Sequence, residues 1–162
     1  SACIDIACCE AFPEALVDAV DISSEALLVA EINRKRHGVQ DQLTLIESNC
    51  FDAVPAVKYD IIVSNPPYVG QDEMKTLPDE YRHEPVLALE TENNGLALVE
   101  QILRCAPSYL SEQGILVVEV GNSEQALADA YPHVPFTWLD FEHGGQGVFL
   151  LTAQQVNEYF AI

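Results

Sequence analysis

Residues 59–68 read Tyr-Asp-Ile-Ile-Val-Ser-Asn-Pro-Pro-Tyr, an apolar run that drives straight into a proline-stiffened corner. Three consecutive β-branched residues, Ile61, Ile62 and Val63, predict a strand buried on both faces, as in a parallel sheet. Such sheets carry function at the carboxyl ends of their strands. Asn65 precedes a proline and is pushed away from helical backbone, and neither Pro66 nor Pro67 has an N–H to donate. The corner therefore offers carbonyl acceptors and one side-chain amide. Acceptors are what a flat NH2 group needs before it can act as a nucleophile, because its lone pair is delocalised until both N–H bonds are held. The Asn65 side-chain oxygen can take one hydrogen and the Pro66 carbonyl the other, with the Tyr68 ring stacked on the planar group. That ring face also favours a nearby sulfonium cation.

The segments around the corner alternate strand and helix. Ser1 to Ala11 is small and apolar and predicts a helix broken by Pro13. Leu16 to Asp21 predicts a strand ending on an acid. The next helix is signed at both ends: Ser23 or Ser24 as cap, Glu25 in the positive first turn, Arg34 to His37 at the negative end, and Gly38 as the stop. Leu43 to Ser48 predicts a strand that delivers Asn49, Cys50 and Phe51 to the sheet edge where Asp21 ends. Residues 71–94 are polar and poorly periodic, with a short helix expected around Thr76 to Arg82; such an excursion after a site corner suits substrate recognition or a lid. Gly95 to Leu110 has helical spacing with Pro107 expected to disturb its last turn, and Gly114 is read as its stop. Ile115 to Val120 predicts a buried strand, Asn122 or Ser123 caps a helix through Tyr131, and two strands, Phe136 to Phe141 and Val148 to Thr152, are joined by a glycine-rich turn. Gly144 to Gly147 is not a phosphate loop, since no helix follows it. The pattern predicts an α/β fold with right-handed crossovers and a terminal antiparallel hairpin.

Charge narrows the partners. The 162 residues carry 7 Lys and Arg against 26 Asp and Glu, a net charge of −19 spread along the chain. Such a surface repels phosphate backbones and anionic membranes and attracts basic partners. The 49% hydrophobic content suffices for one globular domain spanning residues 1–162. The five cysteines, Cys3, Cys8, Cys9, Cys50 and Cys105, lack CxxC spacing and are read as reduced core thiols of a cytoplasmic protein. The histidines have no ligand partner at i+3 or i+4, so no metal is expected. No apolar run approaches the length of a membrane span.

A strand ending in Asp21, a strand ending in Asn49-Cys50, a strand running into Asn65-Pro66-Pro67-Tyr68 and a closing hairpin together resemble the class I methyltransferases, whose sheet is Rossmann-like. More narrowly, the chain resembles the protein-glutamine methyltransferases. Glu80 to Pro85, Leu87-Ala88-Leu89, Gly121-Asn122-Ser123 and Phe136 to Leu139 look like the branch acting on large-subunit ribosomal protein three, the sister branch acting on peptide-chain release factors. The resemblance implies S-adenosylmethionine as cofactor and a basic ribosomal protein as substrate, without stable nucleic-acid or membrane binding. It assigns Asp21 to the ribose hydroxyls, Ile22 to the adenine face, and Asn49 and Cys50 to the border of the base, although Asn49 stands where the family places an acid. Asn65 would lie between cofactor and substrate and, with Pro66 and Tyr68, carry the catalytic step, while Pro67 completes the glutamine pocket. Ser1 and Ala2 look like the tail of the glycine-rich turn that cradles the methionine moiety. The first strand and the helical N-terminal domain of the family have no counterpart, so the expectation is a partial catalytic domain of a longer enzyme that alone binds the cofactor weakly. Two rivals belong to other classes: methylation of an exocyclic amine of adenine or guanine, which the scarcity of basic residues disfavours, and a non-catalytic domain that recruits a basic partner.

Overall fold

Apolar positions on the first helix, α1 (Cys3–Ala11), explain why it forms: Ile6 and Cys9 are buried against Ala19, Val39 and Leu43. In the computed structural model, which describes residues 2–66, 96–142 and 144–161, α1 belongs to the first of two units, Ser1–Pro55; the second is Ala56–Ile162.

In the first unit, β1 (Val17–Asp21) pairs in parallel with β2 (Leu43–Glu47), from Val17 opposite Leu43 to Asp21 opposite Glu47. The crossover is α2 (Ser24–His37), and its predicted ends hold. The Ser23 hydroxyl accepts the Ala26 N–H at 3.2 Å, the four basic residues fill the last turn, and Gly38 closes the helix at φ 70°. A left-handed residue there satisfies carbonyls that the helix leaves open, and glycine adopts it without steric penalty. Arg34 extends from that last turn to donate to the Leu43 carbonyl at 2.7 Å, tying helix to strand.

The second unit is a four-stranded sheet in the order β3 (Tyr59–Ser64), β4 (Leu110–Glu119), β6 (Val148–Thr152), β5 (Thr137–Leu139). β3 and β4 are parallel, and β6 is antiparallel to both of its neighbours. The helix before β4, α3 (Ala97–Tyr109), and the last helix, α5 (Ala153–Phe160), pack on β4 and on each other. Strand alternation puts Leu116 and Val118 of β4 opposite Leu151 and Phe149 of β6 on one fully buried face. Phe149 meets Phe136 and Trp138 edge-on, with ring centroids 4.9 and 5.7 Å away, which anchors β5 at the sheet edge.

Several sequence expectations need correction. Ile61 and Val63 are 45% and 42% exposed rather than buried on both faces: they stand with Ile115 and Val117 on the sheet face opposite the buried one of Leu116 and Val118. Gly114 does not end the helical segment. β4 already begins at Leu110, opposite Tyr59, with a register irregularity before Ile61 meets Ile115. Gly114 lies inside that irregularity, where a Cβ would stand 3.0 Å from the Tyr59 carbonyl oxygen. α3 carries Pro107 in its last turn and runs to Tyr109, and Lys58 donates to the Pro107 and Ser108 carbonyls at 3.3 and 2.8 Å. The 3₁₀ turn Gly121–Ser123 precedes α4 (Glu124–Ala130), and the Ser123 side chain makes no cap bond. None of the five cysteines is in a disulfide, but Cys9 alone is buried and Cys3 is exposed, so they are not a set of core thiols. Among the described residues no helix is long and apolar enough to cross a membrane. The expected lid and short helix at 71–94 lie outside the described residues.

Candidate functional site

Parallel pairing brings the carboxyl ends of β1 and β2 to one edge of the first unit, and with them four of the predicted cofactor residues. Asp21 ends β1, half-buried; its Oδ1 accepts the Ser23 N–H at 2.9 Å, closing a turn over the start of α2. A carboxylate oxygen can accept more than one hydrogen, and Oδ2 has no partner among the described residues. Ile22 follows, 59% exposed, an apolar surface beside an acid. Across the pair, the Ser48 N–H donates to the Asp21 carbonyl at 3.0 Å, while the buried Ser48 hydroxyl accepts the Ala53 N–H at 2.8 Å. These bonds fix the turn that carries exposed Asn49 and half-buried Cys50, the latter at φ 50°. A non-glycine residue in the left-handed region is uncommon.

The amino end of α1 completes this edge. Ala2 caps the helix at φ 55° with no side-chain bond to the first-turn N–H groups. Asp5 lies one turn in. Burial, with Asp21 as a further like-charge contributor, holds its carboxyl above the ordinary carboxylate range. Asp5 was not among the predicted site residues. Its signal was an acid in the first turn of a mostly apolar helix, ahead of a strand that also ends in an acid.

In the second unit, Asn65 and Pro66 follow directly on β3, with Asn65 exposed and Pro66 buried. Ser64 pairs with Val118, so the next residues along the two parallel strands are Asn65 and Glu119. The ring fixes the φ of buried Pro66, and its Cδ holds the backbone of the exposed Asn65 before it to extended conformations. Pro67 and Tyr68 of the predicted corner, and Ser1 of the predicted cofactor set, lie outside the described residues. Among the described residues no group of three or more His, Cys, Asp or Glu could hold a metal ion.

Three comparisons bear on this arrangement. A family model described as the methyltransferase small domain matches residues 2–80. The chain is 48% identical over 159 residues to the ribosomal protein uL3 glutamine methyltransferase of Francisella tularensis subsp. tularensis, covering 98% of this chain and 51% of that protein. It is 49% identical over 157 residues to the protein of the same name from Bordetella pertussis, covering 97% and 53%. The chain thus spans about half the length of the curated relatives it matches. Among solved structures, a methyltransferase from Pyrococcus furiosus aligns with TM-score 0.68 over 94% of this chain and 70% of that one, at 16% identity. At that identity the likeness speaks for the fold.

Proposed function

We propose, from the premise that this chain belongs to the class I methyltransferases on the branch of the ribosomal protein uL3 glutamine methyltransferases, that it is the catalytic domain of an enzyme that N-methylates a glutamine side chain in a basic ribosomal protein. Residues 1–162 act as one domain in this reading, in the cytoplasm where ribosomal proteins are made. The observation that carries it is Asn65, exposed at the carboxyl end of β3 and followed by a buried proline.

S-adenosylmethionine, when bound, supplies an electrophilic methyl group on a sulfonium. The residues at the β1–β2 edge suit its adenosine. Asp21 has a carboxylate oxygen to accept ribose hydroxyls, and Ile22 presents an exposed apolar surface that a purine face would cover. Asn49 and Cys50, on the turn braced by Ser48, border the base, and Ala2 stands at the positive amino end of α1, which suits the carboxylate of the methionine moiety.

The chemistry asked of Asn65 is positional. Its Oδ1 accepts one amide hydrogen of the glutamine, and the Pro66 carbonyl accepts the other. Held by both hydrogens, the nitrogen turns its lone pair toward the methyl donor, with Pro67 and Tyr68 bounding the flat group. The alkylated amide is a strong acid while cationic, so its proton passes to water and no side-chain base is required.

The full-length enzyme tests this with Asn65→Ala, assayed for methyl transfer to the purified substrate protein. Loss of an orienting contact predicts a fall in kcat of about a hundredfold. An unchanged melting temperature must accompany that loss, and transfer at near the parent rate would end the reading.

A further inference from the structure

The second unit holds a groove of about 500 Å3 away from Asn65, at the far strands of the same sheet edge. It lies within the size range of ligand sites. Its walls are the 3₁₀ turn after β4, the end of β5 and the loop before β6, which contribute Asn122, Glu124, Trp138, Asp140, Phe141 and Gln146. The geometry points to a subsite for a basic, extended segment of the acceptor protein flanking its glutamine; this rests on the proposed glutamine methylation and adds to it how the protein substrate is gripped.

Three observations carry the inference. First, the charge of the described lining has one sign: Glu124 and Asp140 are exposed in it, and none of the described lining residues is Lys, Arg or His. A phosphate backbone is repelled by such a wall, whereas Lys and Arg side chains of a polypeptide are attracted. Second, the apolar surface is ready for contact. Phe141 is 54% exposed, and Gly145 lies so close over its ring that a Cβ would come 2.8 Å from ring carbon Cδ2. A rigid aromatic beside acids suits the alkyl stems and charged heads of Lys and Arg together. Third, the groove shares its edge with Asn65. β4 runs parallel to β3, Val148 of β6 pairs with Glu119, and Leu139 of β5 pairs with Val148, so all four strands bring these ends to one side. Strands stand about 4.8 Å apart and an extended chain advances about 3.3 Å per residue. The groove therefore meets residues roughly two to five positions from a glutamine held at Asn65.

Trp138 is the chain's one tryptophan and lines the groove, which gives a binding signal independent of catalysis. The experiment titrates the full chain with a dye-labelled lysine-rich decapeptide carrying a central glutamine, with an acidic decapeptide of matched length, and with a single-stranded RNA decamer. Readouts are Trp138 emission and peptide anisotropy. Saturable binding of the basic peptide, accompanied by a Trp138 change and weakened at least tenfold both in a Glu124→Lys, Asp140→Lys variant and in Phe141→Ala, is the expected result. All three residues are exposed, so the fold tolerates the changes. Equal binding of the acidic peptide or the RNA, no basic-peptide binding, or affinity indifferent to the substitutions would overturn the subsite. Peptide binding by a parent enzyme that transfers no methyl group to glutamine would instead remove the proposed function and leave the groove's preference for basic chain intact.

Discussion

Gly147 lies backbone against backbone on Gly121: a Cβ built on Gly147 would collide with the Gly121 carbonyl oxygen and stand 2.8 Å from its nitrogen. The Gly147 carbonyl also accepts the Val120 N–H at 2.7 Å, and both glycines have positive φ, 69° and 49°. This contact sets the floor between the 3₁₀ turn and the loop before β6. Gly147→Ala therefore combines left-handed strain with a clash against main chain that cannot rotate away, and a loss of about 3 kcal/mol is expected from the urea midpoint. Gly144→Ala is the control. Its φ is 74° but nothing lies within 4 Å, so it should cost only about 1 kcal/mol. Equal losses would mean that backbone strain, not the Gly121 contact, sets the requirement.

Gln42 organises the turn between α1 and β1. Its Nε2 donates toward the carbonyls of Phe12, Pro13 and Ala15 at 3.3, 2.7 and 3.2 Å, in a stretch where Pro13 has no N–H to close a turn of its own. Gln42→Ala should lower stability by about 1 kcal/mol, the net worth of such bonds near the surface. Gln42→Glu places an acceptor against three acceptors and should cost more. Thermal unfolding of the two variants decides it, with the order Glu below Ala as the outcome to look for.

What the sequence made legible follows from range. Ser23, the basic turn at residues 34–37 and Gly38 act on their own helix ends, so α2 could be bounded by inspection. The burial of Ile61 and Val63 depends on what packs over their face of the sheet, and no local pattern states that. β4 begins at Leu110 because its backbone finds Tyr59, a partner far away in sequence that no local pattern names. The helix α5 carried a local sign that was overlooked: Thr152 and Gln155 form a reciprocal capping box, with the Thr152 hydroxyl accepting the Gln155 N–H at 3.3 Å and Gln155 Oε1 accepting the Thr152 N–H at 2.8 Å. Asp21 and Asn65 were legible as strand-end residues, each within its own unit. Asp5 was missed because its role depends on how α1 rests near Asp21.

The observed turn bond of Asp21 and its proposed ribose contact can be separated by substitution. Its Oδ1 holds the Ser23 N–H, which an asparagine oxygen can also do. Asp21→Asn should keep the melting temperature of the full-length enzyme while weakening S-adenosylmethionine about tenfold, since a charged acceptor for the ribose is lost. Asp21→Ala should weaken the cofactor similarly and also lower the melting temperature. Calorimetric titration beside a melting curve reads both, and undiminished cofactor affinity in the asparagine variant would leave Asp21 as a turn residue only.

Asp5 supplies the pH dependence. Burial raises its carboxyl above the ordinary range, with its own backbone hydrogen bond opposing and Asp21 adding repulsion. A raised folded-state value means that the native chain holds the proton more tightly than the unfolded one. The associated stability is present below the ordinary carboxylate value and lost as pH rises through the raised one. Asp5→Asn removes a charge that the fold resists, so it should raise the melting temperature by about 2 °C at pH 7 and leave it unchanged near pH 3. Part of the gain comes from Asp21, so the same substitution made on Asp21→Asn should gain less at pH 7. Full additivity of the two changes would assign the effect to burial alone, without the neighbouring acid.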